Sequence, residues 1–223
     1  MKMKLKTKLM QTFSSVFEKY SDKDCLGKIG SNNQIEYLSY KQFHQKVINL
    51  SKGIHLLMSE QKGMNVGICS RNSIEWYLSE YATLFLNIIN IGLNEQNDLE
   101  YLDHQIRNGK IGLIICSKDK LSLFKEIQKT NPLLKYLIYF DHDSQSEEKI
   151  ENKEENIFKF QEILSIGEKI EKKIEDLSIV EENDPIFTII YSSGTTGKPK
   201  GIIYSHSKWN SFCINFFFFF YIF

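Results

Sequence analysis

Apolar residues alternate between helical and strand spacing along most of the chain. Three pairs of helix-capping residues each stand before a stretch in which apolar positions recur every three or four residues, which predicts three helices with one buried face. These pairs are Ser39 with Gln42, Asn72 with Glu75, and Asn97 with Glu100. Gly109 is expected to end the third helix. Further helices are predicted over residues 121–129 and 158–176.

Short apolar runs between the helices predict buried strands. They cover residues 64–69, 88–93, 111–116, 136–140 and 186–191. Because these runs are apolar on both faces and alternate with helices, they predict an α/β fold with a doubly wound parallel sheet covered by helices. A ligand is then expected at the carboxyl ends of the strands.

The same patterns divide the chain into four parts. A basic tail over residues 1–11 precedes an N-terminal α/β subdomain over 12–180, which contains a charged surface loop at 141–156. The segment 181–210 is predicted to open a second α/β subdomain. Residues 211–223 form a Phe-rich tail with neither helical nor strand periodicity.

Composition narrows the classes of function. The 28 basic and 28 acidic residues balance, which excludes a protein built chiefly to neutralise nucleic-acid phosphates. The four cysteines complete no metal-binding spacing and are too few for a disulfide framework, so we expect reduced thiols in an intracellular compartment. The sequence shows no signal peptide and no run of about 18 apolar residues, so an intracellular location is expected, either cytoplasmic or peripheral on an endomembrane.

The polar segment after residue 191 carries the candidate chemistry, S-S-G-T-T-G-K-P-K-G over residues 192–201. Its glycines let backbone N–H groups approach a ligand, its hydroxyls add donors and Lys200 adds positive charge, so the segment predicts an oligophosphate site. The predicted phosphate-binding residues are Ser192, Ser193, Gly194, Thr195, Thr196, Gly197 and Lys200. The Walker pattern does not fit, because Lys198 is followed by Pro199 rather than by Ser or Thr.

The segment from Tyr191 to Gly201 resembles the phosphate-loop signature of the adenylate-forming (AMP-binding) superfamily. Upstream, G-M-N-V-G-I-C-S-R-N-S-I-E-W at residues 63–76 is similar to the acyl-CoA synthetase branch, especially its long-chain members. The resemblance covers roughly residues 12–210. It implies that these residues are the N-terminal part of a long-chain fatty acid–CoA ligase.

That resemblance implies a two-step ligation that uses ATP, Mg²⁺ and coenzyme A. A fatty acid carboxylate attacks the α-phosphate of ATP to give an acyl-adenylate and pyrophosphate, and the thiol of coenzyme A then displaces AMP. Thr195, Thr196 and Lys200 are the implied catalytic residues, acting on the phosphates. His206 is implied to lie near the acyl pocket, with a packed or surface histidine as the alternative. The full-length enzyme is further expected to be cytoplasmic or peripheral on an endomembrane.

The 223 residues stop before several elements that the family carries after its phosphate loop, including a Mg²⁺-binding acid and a C-terminal lysine. We therefore expect no metal site here and an inactive fragment. Its Phe-rich tail is interpreted as translation past a missed splice site or a frameshift, with a buried terminal strand as the alternative. Two other functions stay open, a non-catalytic fragment with at most weak phosphate or partner binding and a ligase for another carboxylic acid.

Overall fold

The strands form a two-stranded hairpin and a seven-stranded sheet in the computed structural model, which describes residues 7–30, 33–142, 155–178, 184–192 and 199–221, with side chains as far as residue 213. The hairpin pairs β1 (Asp24–Ile29) with β2 (Ile35–Ser39). The sheet contains β3 (Asn65–Cys69), β4 (Asn90–Gly92), β5 (Ile111–Ser117), β6 (Tyr136–Phe140), β7 (Ile157–Lys159), β8 (Ile186–Ser192) and β9 (Lys200–Ser205). Its order is β7-β6-β5-β3-β4-β8-β9, and neighbouring strands are parallel except β8 with β9.

Helices pack on both faces of this sheet. They are α1 (Lys8–Lys19), α2 (Tyr40–Met58), α3 (Ile74–Leu86), α4 (Leu99–Asn108), α5 (Leu121–Thr130), α6 (Phe160–Glu168), α7 (Ile174–Leu177) and α8 (His206–Tyr221). One core cluster joins α2, α3 and α6 to Val66 and Ile68, and another joins α4 and α5 to Cys69 and Ile114. Since the residues of β3 alternate between the two clusters, the sheet is buried on both faces, which confirms the predicted fold class.

Two of the three predicted helix starts lie one residue from the observed ones. The capping box before α2 is confirmed, and both of its reciprocal hydrogen bonds form. The cap of α3 is Ser73 rather than Asn72, and the cap of α4 is Asp98 rather than Asn97. Each segment offers two polar residues in succession, and apolar spacing does not show which of them takes the extended backbone of a cap. The predicted end of α4 at Gly109 is confirmed.

The prediction of one helix over residues 158–176 is wrong. Its first residues belong to β7, where Phe158 pairs with Ile138 at the edge of the sheet. Helix α6 then ends at Glu168, and the single turn α7 follows as a separate element. Phe158 and Phe160 fit strand alternation as well as helical spacing, so the pattern alone did not separate a three-residue strand from the helix behind it.

The residues predicted to open a second subdomain extend the first sheet. Within the segment 181–210, β8 pairs with β4 and β9 pairs with β8; the division at residue 181 stays a prediction. Residues 1–6 and 143–154, from the predicted tail and charged loop, lie outside the described residues. The backbone of α8 is helical as far as Tyr221, so the interpretation as a terminal strand is wrong. Across the described ranges, no helix combines the length and apolar character that crossing a membrane requires.

Helices α2 and α6 approach each other through two glycines. A Cβ on Gly167 would overlap the carbonyl oxygen of Asn49, and a Cβ on Gly53 would lie 2.5 Å from the carbonyl oxygen of Ile163. Both contacts involve backbone atoms, which cannot rotate away as a flexible side chain would. Only glycine therefore fits at these two positions, and the pair holds α6 directly against the backbone of α2.

Candidate phosphate-binding site

The antiparallel hairpin of β8 and β9 holds the two ends of the candidate segment side by side. Ser192 is in register with Lys200, and Tyr191 with Gly201. The Ser192 hydroxyl also lies 3.5 Å from the carbonyl oxygen of Lys200. The predicted site residues between these ends lie outside the described residues, namely Ser193, Gly194, Thr195, Thr196 and Gly197. The segment leaves the carboxyl end of β8, a strand parallel to β4, which is the expected edge of the sheet for a ligand.

Buried hydrogen bonds attach β8 to the parallel part of the sheet. The hydroxyl of Thr188 donates to the carbonyl oxygen of Asn90 at 3.0 Å, and the side-chain amide of Asn90 donates to the carbonyl oxygen of Phe187 at 3.4 Å. Asn90, Thr188 and Phe187 are all buried. Because buried polar groups are costly to leave unpaired, these bonds fix β8 beside β4 and give the candidate segment a rigid base.

A hydrogen bond from Tyr191 holds the carboxyl end of β8 against the end of α4. Its hydroxyl donates to the Oδ1 atom of Asn108, at the end of α4, over 2.7 Å. A Cβ on Gly201 would lie 2.8 Å from the Cγ2 atom of Ile189 and 3.4 Å from the ring of Tyr191. The missing side chain at Gly201 thus lets β9 lie close against β8 where the segment re-enters the sheet.

Lys200 supplies positive charge at the end of the segment. Its side chain is exposed, whereas the preceding Pro199 is buried. Within the described ranges Lys200 takes part in no ion pair, so its ammonium group can pair with an anionic ligand. No three histidine, cysteine or acidic side chains converge in those ranges to hold a metal ion. The described part of the site thus offers one exposed positive charge, and the role of Lys200 in binding phosphate stays a prediction.

His206 begins α8 and is buried, with 3% of its surface exposed. Its Nδ1 atom lies 2.8 Å from the hydroxyl oxygen of Thr7, and its ring packs edge-on against Phe187 with 5.6 Å between the centroids. Burial lowers the pKa of His206 to about 4, although the nearby Asp184 opposes this shift. These contacts are those of a packed, neutral histidine. A role of His206 near the acyl pocket stays a prediction.

Acid is expected to destabilise the fold through His206. Its pKa is about 4 in the folded protein and 6.5 ordinarily, so the unfolded state binds more protons below about pH 6.5 and stability falls as the pH drops toward 4. We expect His206 to account for a loss of about 2 kcal/mol between about pH 7 and pH 5. Urea unfolding at both pH values measures this, and His206→Gln should lose about 2 kcal/mol less than the unmodified protein. Equal losses in the two proteins would contradict the prediction.

Some residues that support the site could not be recognised from the sequence. Thr7 contacts His206 across 199 positions, Asn108 contacts Tyr191 across 83, and Asn90 reaches Phe187 across 97. Spacing along one chain holds no information on pairs so far apart. The only local sign is that Thr7 is a good N-cap for α1, a role it does fill by accepting the N–H of Met10.

The chain matches known proteins over most of its length. The model of a family described as AMP-binding enzyme matches residues 13–221. The chain is 26% identical over 200 residues to the long-chain-fatty-acid–CoA ligase ACSBG2 of Xenopus laevis, a match that covers 89% of this chain and 26% of the relative. It is 27% identical over 200 residues to fatty acyl-CoA synthetase B of Dictyostelium discoideum, with 87% and 29% covered. The chain thus spans about a quarter of the length of these curated relatives.

A solved structure shares the fold. A red-emitting luciferase from Phrixothrix hirtus superposes with a TM-score of 0.69 at 23% identity, covering 92% of this chain and 37% of the luciferase chain. At that identity the likeness concerns the fold alone. The ligase relatives confirm the resemblance to the long-chain acyl-CoA synthetase branch. The family match contains the whole segment 192–201 with both of its flanking strands, and the chain therefore belongs to the AMP-binding enzyme family.

Proposed function

We propose that the complete protein is an ATP-dependent fatty acid–CoA ligase, which forms an acyl-adenylate and then an acyl-CoA thioester. The observation that carries this proposal is the segment 192–201, whose ends are held in register by β8 and β9 at the carboxyl edge of the sheet. The names of the long-chain ligase relatives support a fatty acid as the substrate. Since this chain spans about a quarter of those relatives, the activity is assigned to the complete protein.

In the first step, a carboxylate oxygen of the fatty acid attacks the α-phosphorus of ATP and the bond to the bridging oxygen breaks. Pyrophosphate leaves, and its developing charge needs positively polarised partners. Lys200 supplies one of them from the exposed start of β9. The hydroxyls of Thr195 and Thr196 are the proposed donors beside it, together with Ser192 and backbone N–H groups. Bound to the ATP phosphates, Mg²⁺ would neutralise part of their charge.

In the second step, the thiol of coenzyme A attacks the acyl carbon of the adenylate. The thiol gives up its proton, the acyl–phosphate bond breaks, and AMP leaves with the bonding electrons. Thiol chemistry of this kind suits a reducing compartment, and Cys25, Cys69, Cys116 and Cys213 are all free thiols. We propose that the complete protein lies in the cytoplasm or at the surface of an endomembrane, a location that free thiols are consistent with.

Fatty-acid-dependent ATP–pyrophosphate exchange tests the proposal. A long-read cDNA across codon 211 defines the complete protein, which we expect to exchange pyrophosphate with palmitate at about 10 turnovers per second. The 223-residue polypeptide is the matched control and is expected to be inactive, since it spans about a quarter of the length of the ligases that it matches.

Two results would replace this proposal with its alternatives. Exchange that requires a short-chain or aromatic acid rather than palmitate would make the protein a ligase for another carboxylic acid. A mature transcript that encodes only these 223 residues, with no exchange under any acid, would leave a non-catalytic protein with at most weak phosphate or partner binding.

A further inference from the structure

An apolar cavity of about 520 Å³ lies between α1, α3, β8 and α8. Its walls carry mainly aromatic and aliphatic side chains, including Phe13, Leu84, Phe187 and Trp209. Among the described residues, those that line the cavity do not belong to the segment 192–201. Its volume is within the range typical of small-molecule sites, so the cavity is a candidate binding site separate from the phosphate segment.

Among the described residues that line this mainly apolar cavity, Glu80 on α3 carries the one carboxyl group. In the part of the chain that the structure describes, no basic side chain forms an ion pair with Glu80. Burial alone raises the pKa of Glu80 to about 7. Glu80 is half-buried, and a carboxylate with restricted access to water and without a positive partner is costly, so a cation that entered the cavity would relieve part of this cost.

Aromatic side chains line the cavity together with that carboxyl group. Tyr77 and Tyr81 flank Glu80 along α3 and line the same cavity. Tyr81 meets Phe13 edge to face with 4.7 Å between the ring centroids, and Trp209 packs on Phe187 at 5.5 Å, so these walls are already formed without a ligand. Aromatic faces attract ammonium groups, whereas the carboxylate of a fatty acid would be repelled by Glu80.

We propose that this cavity binds a lipophilic organic cation, specifically a primary alkylamine. Its ammonium group pairs with the carboxylate of Glu80, and its alkyl chain lies along the apolar wall that includes Leu84 and Phe187. In the described part of the chain this cavity and the phosphate segment share no residue, so the proposal does not rest on the proposed ligase activity.

Isothermal titration calorimetry of the 223-residue protein with octylamine, octan-1-ol and octanoate at about pH 8 tests the proposal. The three probes each contain eight carbon atoms in an unbranched chain and differ in the charge of the head group. We expect octylamine to bind about tenfold more tightly than octan-1-ol, and octanoate to bind more weakly than either. In Glu80→Gln the affinity for octylamine should fall to that for octan-1-ol. Glu75→Gln, on the same helix but outside the cavity lining, should keep the preference.

Several results would overturn the proposal. These are equal affinities of the unmodified protein for octylamine and octan-1-ol, tighter binding of octanoate, no binding of octylamine, or an unchanged preference for octylamine in Glu80→Gln. The comparison of the three probes on the unmodified protein needs no variant, so the test stands even where Glu80→Gln fails to fold. Circular dichroism spectra of both variants check that the fold is retained.

Discussion

Replacing Gly167 with alanine is expected to reduce the free energy of unfolding by about 3 kcal/mol, the upper part of the usual range for overpacked sites. The new methyl group would overlap the carbonyl oxygen of Asn49 in the backbone of α2. Helices α2 and α6 would then have to separate, which would pull Ile163 and Leu164 away from the core that they share with α2. The better helix propensity of alanine, about 1 kcal/mol, offsets only part of this loss.

Chemical denaturation followed by circular dichroism measures this effect, with Gly92→Ala as the matched control. A Cβ at Gly92 would lie 3.5 Å from the ring of Trp76, an ordinary van der Waals distance. We expect the control to change the free energy of unfolding by about 0.5 kcal/mol at most. If the two substitutions destabilised the protein equally, the close contact of α2 with α6 would not be the cause.

Lys200→Ala in the complete protein is expected to slow adenylation by about 10²–10³-fold, or about 3–4 kcal/mol of transition-state stabilisation. The reason is that Lys200 is proposed to face the phosphates rather than the acyl chain, so the loss should fall on kcat and leave fatty acid binding nearly unchanged. Thr195→Ala is expected to act in the same direction. Palmitate-dependent pyrophosphate exchange over a range of palmitate concentrations separates the two effects.

Lys208→Ala is the control for Lys200→Ala, since it removes the same charge from another exposed position, on α8. We expect it to leave the exchange rate within about twofold of the unmodified enzyme, an effect of well under 1 kcal/mol. A normal rate at saturating palmitate together with a raised KM for palmitate in Lys200→Ala would contradict the assignment of Lys200 to the phosphates.

Most of the fold could be predicted because each strand and helix carries its own local pattern. The strand predicted at residues 136–140 is β6 with unchanged bounds, since Lys135 and Asp141 interrupt the apolar run at both ends. In contrast, β7 is only three residues long and forms because it pairs with β6. Such an element depends on a neighbouring strand, and no local spacing shows it.

At the candidate site, residue identities are enough to propose the chemistry, whereas the side chains that support the segment could not be predicted from the sequence. The glycines, the hydroxyl groups and Lys200 indicate a phosphate-binding segment through their residue types alone. The bond of Tyr191 to Asn108 depends on how α4 lies against β8, which is a property of the assembled sheet. The sequence likewise did not indicate that Glu80 lines a cavity, because Tyr77 and Tyr81 beside it fit the apolar stripe of an ordinary buried helix. Helical spacing does not show whether a helix faces a filled core or a cavity.

The contact of Thr7 with His206, across 199 positions, affects the order of events during synthesis. At roughly 5–20 residues per second, a ribosome reaches His206 roughly 10–40 s after Thr7. Over that interval the carboxyl half of α1 can already pack, because Phe17 contacts Phe43, with 5.8 Å between the ring centroids. The first turn of α1 packs against Phe187, so it cannot reach its native packing before β8 has been synthesised. The first turn of α1 in the nascent chain therefore remains open to chaperones until β8 and β9 have left the ribosome.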